Sequence, residues 1–155
     1  MAAPLLDRTR PDDGHTADRL AAEPVIWLGT TGPDGRPHHV PVWFCWRDPE
    51  MLIFSMPGTG KLSHLRQNPQ VALNLDTAAG GLDVVLAEGR AELSEGAAGT
   101  VEAMTGPFAA KYAGLLGPGG LAEWCGTFSV PVLVTVSKIV AWTRRDGQLH
   151  YRAVP

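Results

Sequence analysis

The chain has 155 residues, 45% of them apolar and 19% charged, with a formal net charge of −3. That length fits one domain able to bury about two-thirds of its unfolded surface. The slight acidity argues against a nucleic-acid partner and the lack of an apolar run of membrane-spanning length against a membrane one, while the widely separated Cys45 and Cys125 read as reduced thiols of a cytoplasmic protein.

In chain order, residues 1–17 mix Pro, Asp, Arg and Gly and read as a flexible arm, with residues 18–155 as the folded domain. A short helix is expected around Thr16 to Ala22, stopped by Pro24. Val25 to Thr31 is a strand, and Gly32-Pro33-Asp34-Gly35 supplies a hairpin turn. His38 to Trp46 reads as one strand with Val40, Val42, Phe44 and Trp46 on one face and His39, Pro41, Trp43 and Cys45 on the other. Both faces are partly apolar, so the strand is covered on both sides, and Pro41 marks an edge, a bulge or a ligand close to the backbone. Met51 to Met56 is the next strand. Gly60 to Gln67 is a two-turn helix ended by Asn68-Pro69. Gln70 to Asp76 turns Val71, Leu73 and Leu75 inward, and Leu82 to Leu93 is a long strand with a bulge at Gly89. One or two helical segments are expected between Gly96 and Trp124. Thr127 to Trp142 is a Val-rich strand, and Asp146-Gly147 marks a terminal hairpin. About six antiparallel strands with few helices predict a mainly β fold closed as a barrel, because closure removes exposed edges.

The segment Pro57-Gly58-Thr59-Gly60-Lys61-Leu62-Ser63-His64-Leu65 between a strand and a helix is the candidate anion site. It is not a nucleotide-hydrolysing P-loop: Ser55 stands where the first glycine belongs, and Leu62 replaces the hydroxyl that would reach magnesium. Lys61 lies in the first helical turn, where the dipole disfavours a cation by about 0.3–1 kcal/mol unless an anion binds there. Gly58 and Gly60 let the backbone approach, Thr59 offers a hydroxyl, and Arg66 is a second candidate cation. Equally, the glycines can be a plain turn, Thr59 a cap and Lys61 a solvated side chain.

The stretches LGTTGPDGRPHHVPVWFCW (Leu28 to Trp46), LIFSMPGTGKLSHLRQNPQVAL (Leu52 to Leu73) and LAEGRAEL (Leu86 to Leu93), in this order, resemble the split β-barrel flavin-binding proteins related to pyridoxamine 5'-phosphate oxidase. The resemblance covers Asp18 to Trp142. The pattern D-G-x-P, then V-W-F, then K-x-x-x-L-x-x-N-P-x-V-A-L is similar to the actinobacterial branch that uses the deazaflavin coenzyme F420. It implies a six-stranded antiparallel split barrel forming a homodimer, with cofactor in a groove between subunits and its phosphate at the glycine loop. The expected function is an oxidoreductase passing hydride from F420 to a small electrophilic or unsaturated substrate. FMN is the alternative cofactor: in a related deazaflavin-binding subgroup the turn after the fourth strand carries an aromatic residue, where this chain has Leu82 nearby.

Thr59, Gly60, Lys61 and Arg66 are thus the phosphate candidates, and Pro41, Val42, Trp43, Phe54, Ser55 and Met56 the ring wall, since strand backbone presents polar groups beside apolar side chains. Trp43 is the leading stacking residue; core packing is its other reading. Trp27, Trp46 and Trp142 are assigned to the core, and Trp124 is a candidate to cover the partner's groove. No metal site is expected, because His38 and His39 point to opposite faces. Cys45 has no activating base in the pattern and reads as a buried thiol. No catalytic side chain stands out, as befits chemistry carried by a cofactor. A non-enzymatic haem, bilin or flavin binder is the remaining alternative; for haem, His38, His39 or His150 would be the axial ligand.

Overall fold

The computed structural model describes residues 3–93 and 98–155. Helix α1 spans Pro11–Ala22, followed by strands β1 (Ile26–Thr31), β2 (Pro37–Val42), β3 (Phe44–Arg47) and β4 (Glu50–Ser55). Next come α2 (Gly60–Gln67), β5 (Gln70–Leu75), a 3-10 turn (Ala79–Gly81) and β6 (Asp83–Glu92). Helices α3 (Ala98–Lys111) and α4 (Gly120–Thr127) lead to β7 (Val130–Arg145) and β8 (Gln148–Val154). The expected start of the helical region at Gly96, and the first two residues of the expected arm, lie outside the described residues.

All eight strands join one antiparallel sheet in the order β2-β1-β5-β6-β7-β4-β3, with β8 added to β7. The expectation of a mainly β, antiparallel split barrel holds; the strand number does not. The predicted strand His38 to Trp46 divides at Trp43 into β2 and β3, and the terminal hairpin contributes β8. The division has a topological cause: β2 and β3 lie at opposite ends of the strand order, yet one residue joins them. Two residue steps reach no more than ~7 Å, so the sheet must curl until its edges meet at Trp43. The chain itself closes the barrel there.

Inside the barrel, Leu28, Phe44, Met51, Ile53, Leu73, Val132 and Val134 pack into the main core. The β4 run is continuously apolar because both of its faces are covered. Met51 and Ile53 belong to the barrel interior, whereas Leu52 joins a second cluster with Cys45, Met104, Phe108, Tyr112 and Leu133 beneath α3. Trp27 corrects the expectation of a core role: Ile26 and Leu28 are buried, and Trp27 alternates outward to donate its indole N–H to Asp76.

The expected flexible arm is partly ordered. Helix α1 begins at Pro11 rather than Thr16, since proline suits the first helical turn and Asp12 and Asp13 favour its positive end. Upstream, the backbone amides of Leu5 and Leu6 donate to the Asp48 carboxylate at 2.8 and 2.9 Å, and Leu6 is buried. Asp13 is fully buried, holding the Asp7 amide and the Arg152 guanidinium. These contacts lay α1 across the barrel near β8.

Candidate functional site

The break at Trp43 interrupts the sheet's hydrogen bonding, and Tyr112 just past α3 repairs it. Its hydroxyl accepts the Phe44 amide at 2.8 Å and lies 2.7 and 2.9 Å from the carbonyls of Pro24 and Phe44. Burial pushes this phenol up to about 12, even though the Phe44 hydrogen bond pulls the other way. The ring, 1% exposed, is the platform on which Trp43 stacks at 4.4 Å between centroids and 3° between planes. Barrel closure and the position of Trp43 thus share one anchor.

Around Trp43 opens a cleft of about 350 Å³ lined by Val25, Pro41, Val42, Trp43, Phe54, Lys61, Trp124 and Phe128. Pro41 and Val42 come from β2, Phe54 from β4 and Lys61 from the first turn of α2. Trp124 from α4 stacks on Trp43 at 5.3 Å and 11°, meets Phe54 edge-on, and stacks on Phe128. Trp124 thus lies over its own chain's cleft. A larger open groove of about 690 Å³ lies between the N-terminal segment, α1 and β3, with mixed charges along it. The aromatic cleft is the better ligand site, because it combines flat apolar walls with a single polar focus.

That focus is Lys61. It has no hydrogen bond or ion pair among the described residues, and burial alone lowers its pKa. Beside it, Thr59 is the N-cap of α2 but makes no side-chain cap. Its hydroxyl instead meets Ser55 Oγ at 3.1 Å, which leaves the first amides of α2 without a side-chain acceptor. A partly desolvated ammonium and a helix end lacking its cap are both relieved by an anion.

Of the predicted site residues, the structure brings Pro41, Val42, Trp43, Phe54 and Lys61 to one cleft. Gly60 precedes Lys61 at the same helix end, and Thr59 orients there through Ser55. Ser55 is 1% exposed and acts beneath the loop rather than along the cleft wall. Met56 is exposed and outside the lining. Arg66 does not accompany Lys61: five residues along a helix rotate its side chain away, and it borders a separate groove with Arg90, Pro69 and Leu93. His64, one turn after Lys61, meets the Thr30 hydroxyl at 3.0 Å and the His38 ring at 4.4 Å between centroids.

Val25, Tyr112 and Phe128 were not among the predicted site residues, and Trp124 was named only as a cover for the partner's groove. Met104, Phe108 and Tyr112 recur every fourth position, and Trp124 and Phe128 are four apart, so aromatic helix faces carried a readable signal. Val25 carried none.

The sequence profile of the pyridoxamine 5'-phosphate oxidase family matches residues 13–135. The chain belongs to this family. Among solved structures, the pyridoxamine 5'-phosphate oxidase fold of this chain is similar to a conserved hypothetical protein from Mycobacterium tuberculosis, with 22% identity over 94% of this chain and 89% of that one, TM-score 0.69. It is also similar to a heme binding protein from Mycobacterium smegmatis, with 16% identity over 92% and 58% of the two chains, TM-score 0.68. An F420 reductase aligns at 19% identity over 79% of this chain and 94% of that one, TM-score 0.57. At these identities the likenesses show the fold. No match was found among curated proteins. Among the described residues no helix is long and apolar enough to cross a membrane.

Proposed function

We propose that the protein is an oxidoreductase that binds the deazaflavin coenzyme F420 in the Trp43 cleft and reduces a small electrophilic or unsaturated compound. The observation that carries this reading is Lys61: a partly buried cation with no hydrogen-bond or ion-pair partner among the described residues, at an uncapped helix end, bordering an aromatic cleft of about 350 Å³.

When bound, the reduced deazaflavin supplies a hydride from its central ring. The protein's own part is to bind, orient and exclude water. Lys61 and the first amides of α2, shaped by Gly60 and Thr59, hold the phosphate. Pro41, Val42 and Phe54 provide the flat wall, and Trp43, seated on Tyr112, fixes its depth. Among the described residues that line the cleft, the charged side chain is a donor, the Lys61 ammonium, and no carboxylate is present. Donors without a carboxylate favour ligands rich in acceptor oxygens, and they stabilise the negative charge that a reduced acceptor gains. An oxidase acting on a cationic amine would want the opposite.

A haem-binding role has less support, since no histidine lines the cleft. A homodimer is part of the proposal. The outer face of β6–β8 exposes Leu86, Leu149 and Tyr151, at 38%, 59% and 64%, beside the half-buried Val140 and Trp142. Such a face suits a second subunit.

The test is a paired titration of cofactor-free protein with F420 and with FMN, following fluorescence quenching of each cofactor. Tighter binding of F420 is expected. Preference for FMN would move the protein to flavin chemistry, and binding of neither would overturn the cofactor assignment.

A further inference from the structure

The two tryptophans of the cleft are held very differently. Trp43 rests on Tyr112, which is buried, accepts the Phe44 amide and has its one O–H between the Pro24 and Phe44 carbonyls. Trp124 is carried by α4, a helix of eight residues without a single buried one. Among the described residues no hydrogen bond or ion pair from an α4 side chain reaches the barrel. The polar contact of α4 is internal, the Gly119 amide donating to Glu123 at 3.1 Å. Among the described residues, Trp124 and Leu121 pack against the cluster beneath α3. The ends of α4 are glycine-rich: Gly117-Pro118-Gly119 precede it, its first residue Gly120 has φ +60°, and Gly126 lies in its last turn.

At 5.3 Å between centroids the Trp43 and Trp124 rings already contact each other. A third ring between them needs two van der Waals layers, about 7–8 Å in all. The fixed wall cannot supply the added layer; the hinged one can, by a shift of about 3.5–4 Å. Among ligands, a flat conjugated ring is the shape that replaces the lost Trp43–Trp124 stacking on both faces. A puckered ring breaks that contact and restores less of it.

We propose that Trp124 is the specificity-determining wall of the cleft: α4 yields on its glycines and closes Trp124 on a planar ring, so that flat conjugated ligands are admitted and puckered aliphatic ones disfavoured. This rests on the cleft being the ligand site and on Lys61 as its anion anchor, and it is independent of which cofactor binds.

Phenyl phosphate and cyclohexyl phosphate provide the test, since they share the anion and the carbon count and differ in flatness. By calorimetric titration, the unmodified protein should bind phenyl phosphate about five-fold or more tightly than cyclohexyl phosphate. Trp124→Leu should abolish that preference while cyclohexyl phosphate still binds, which also shows that the variant is folded. Trp124→Phe should retain most of the preference. Equal binding of the two compounds by the unmodified protein, binding of neither, or a preference unchanged in Trp124→Leu would overturn the proposal. Failure with F420 and FMN alongside a preserved phenyl preference would instead refute the cofactor reading alone.

Discussion

Lys111, at the end of α3, places its ammonium 3.7 Å above the centroid of the Phe44 ring and 5.6 Å from that of Tyr112. Its Nζ is buried with no hydrogen-bond partner. Burial lowers its pKa to about 8, with the neighbouring Cys45 and Glu23 opposing the shift. Below pH 8 the amine is charged in both folded and unfolded chains, and the folded state bears the desolvation cost. Between about 8 and the ordinary lysine value of 10.5 the unfolded chain binds more protons, so stability rises with pH. Tyr112 acts in the opposite sense: held up to about 12 from an ordinary 10, it favours unfolding as pH climbs through that interval. Lys111→Met exchanges the unsatisfied cation for an apolar chain of similar length. The net gain near pH 7 should be about 1 kcal/mol, the lost cation–π contact offsetting part of the relief. Urea denaturation at pH 7 and pH 9.5 checks this: the unmodified protein should gain stability between the two, and the variant should not.

At the scale of elements, the long strands were legible because their pattern is local. Val71, Leu73 and Leu75 of β5 alternate inward as their spacing requires, and they are buried. Asp146 and Gly147 both take positive φ in the β7–β8 turn, as a two-residue hairpin demands. The bulge predicted at Gly89 is present, with the β6–β7 register shifting between Glu88 and Gly89. There the backbone approach is close: a Cβ would sit 2.5 Å from the Thr135 carbonyl oxygen and 3.0 Å from Val136 Cα. Neither is a side-chain atom able to rotate away. Gly89→Ala should therefore cost about 1–3 kcal/mol in urea-denaturation stability; an unchanged midpoint would show that β7 gives way without cost. The break at Trp43 was not legible, because nothing local distinguishes Val42-Trp43-Phe44 from one strand. It is imposed by which strands lie next to β2 and β3, a long-range fact. The start of α1 at Pro11 had a local signal in Pro11, Asp12 and Asp13 that was not used, whereas the anchoring of Asp13 and Leu6 by Arg152 and Asp48, far along the chain, was not legible.

For the molecule as a whole, curling an antiparallel sheet until its first and last edges meet at one residue brings β2, β4, α2 and α4 around a single cleft. Five of the ten residues singled out from the sequence line it, because the resemblance carried them as a set. Three of the others lie elsewhere: Ser55 is buried beneath the loop, Met56 is exposed outside the lining, and Arg66 borders the groove shared with Arg90. Lys61 and Arg66 share a short helix and a charge, yet the structure gives them different surroundings, and this separation offers the most direct trial of the account. The affinity of Lys61→Ala and Arg66→Ala should be measured with whichever of F420 and FMN binds the unmodified protein more tightly. Loss of a charge-assisted phosphate contact at Lys61 should weaken binding about ten-fold or more, while Arg66→Ala stays within about two-fold. Unchanged affinity in Lys61→Ala, or a larger loss in Arg66→Ala, would contradict the assignment of the phosphate to the Trp43 cleft.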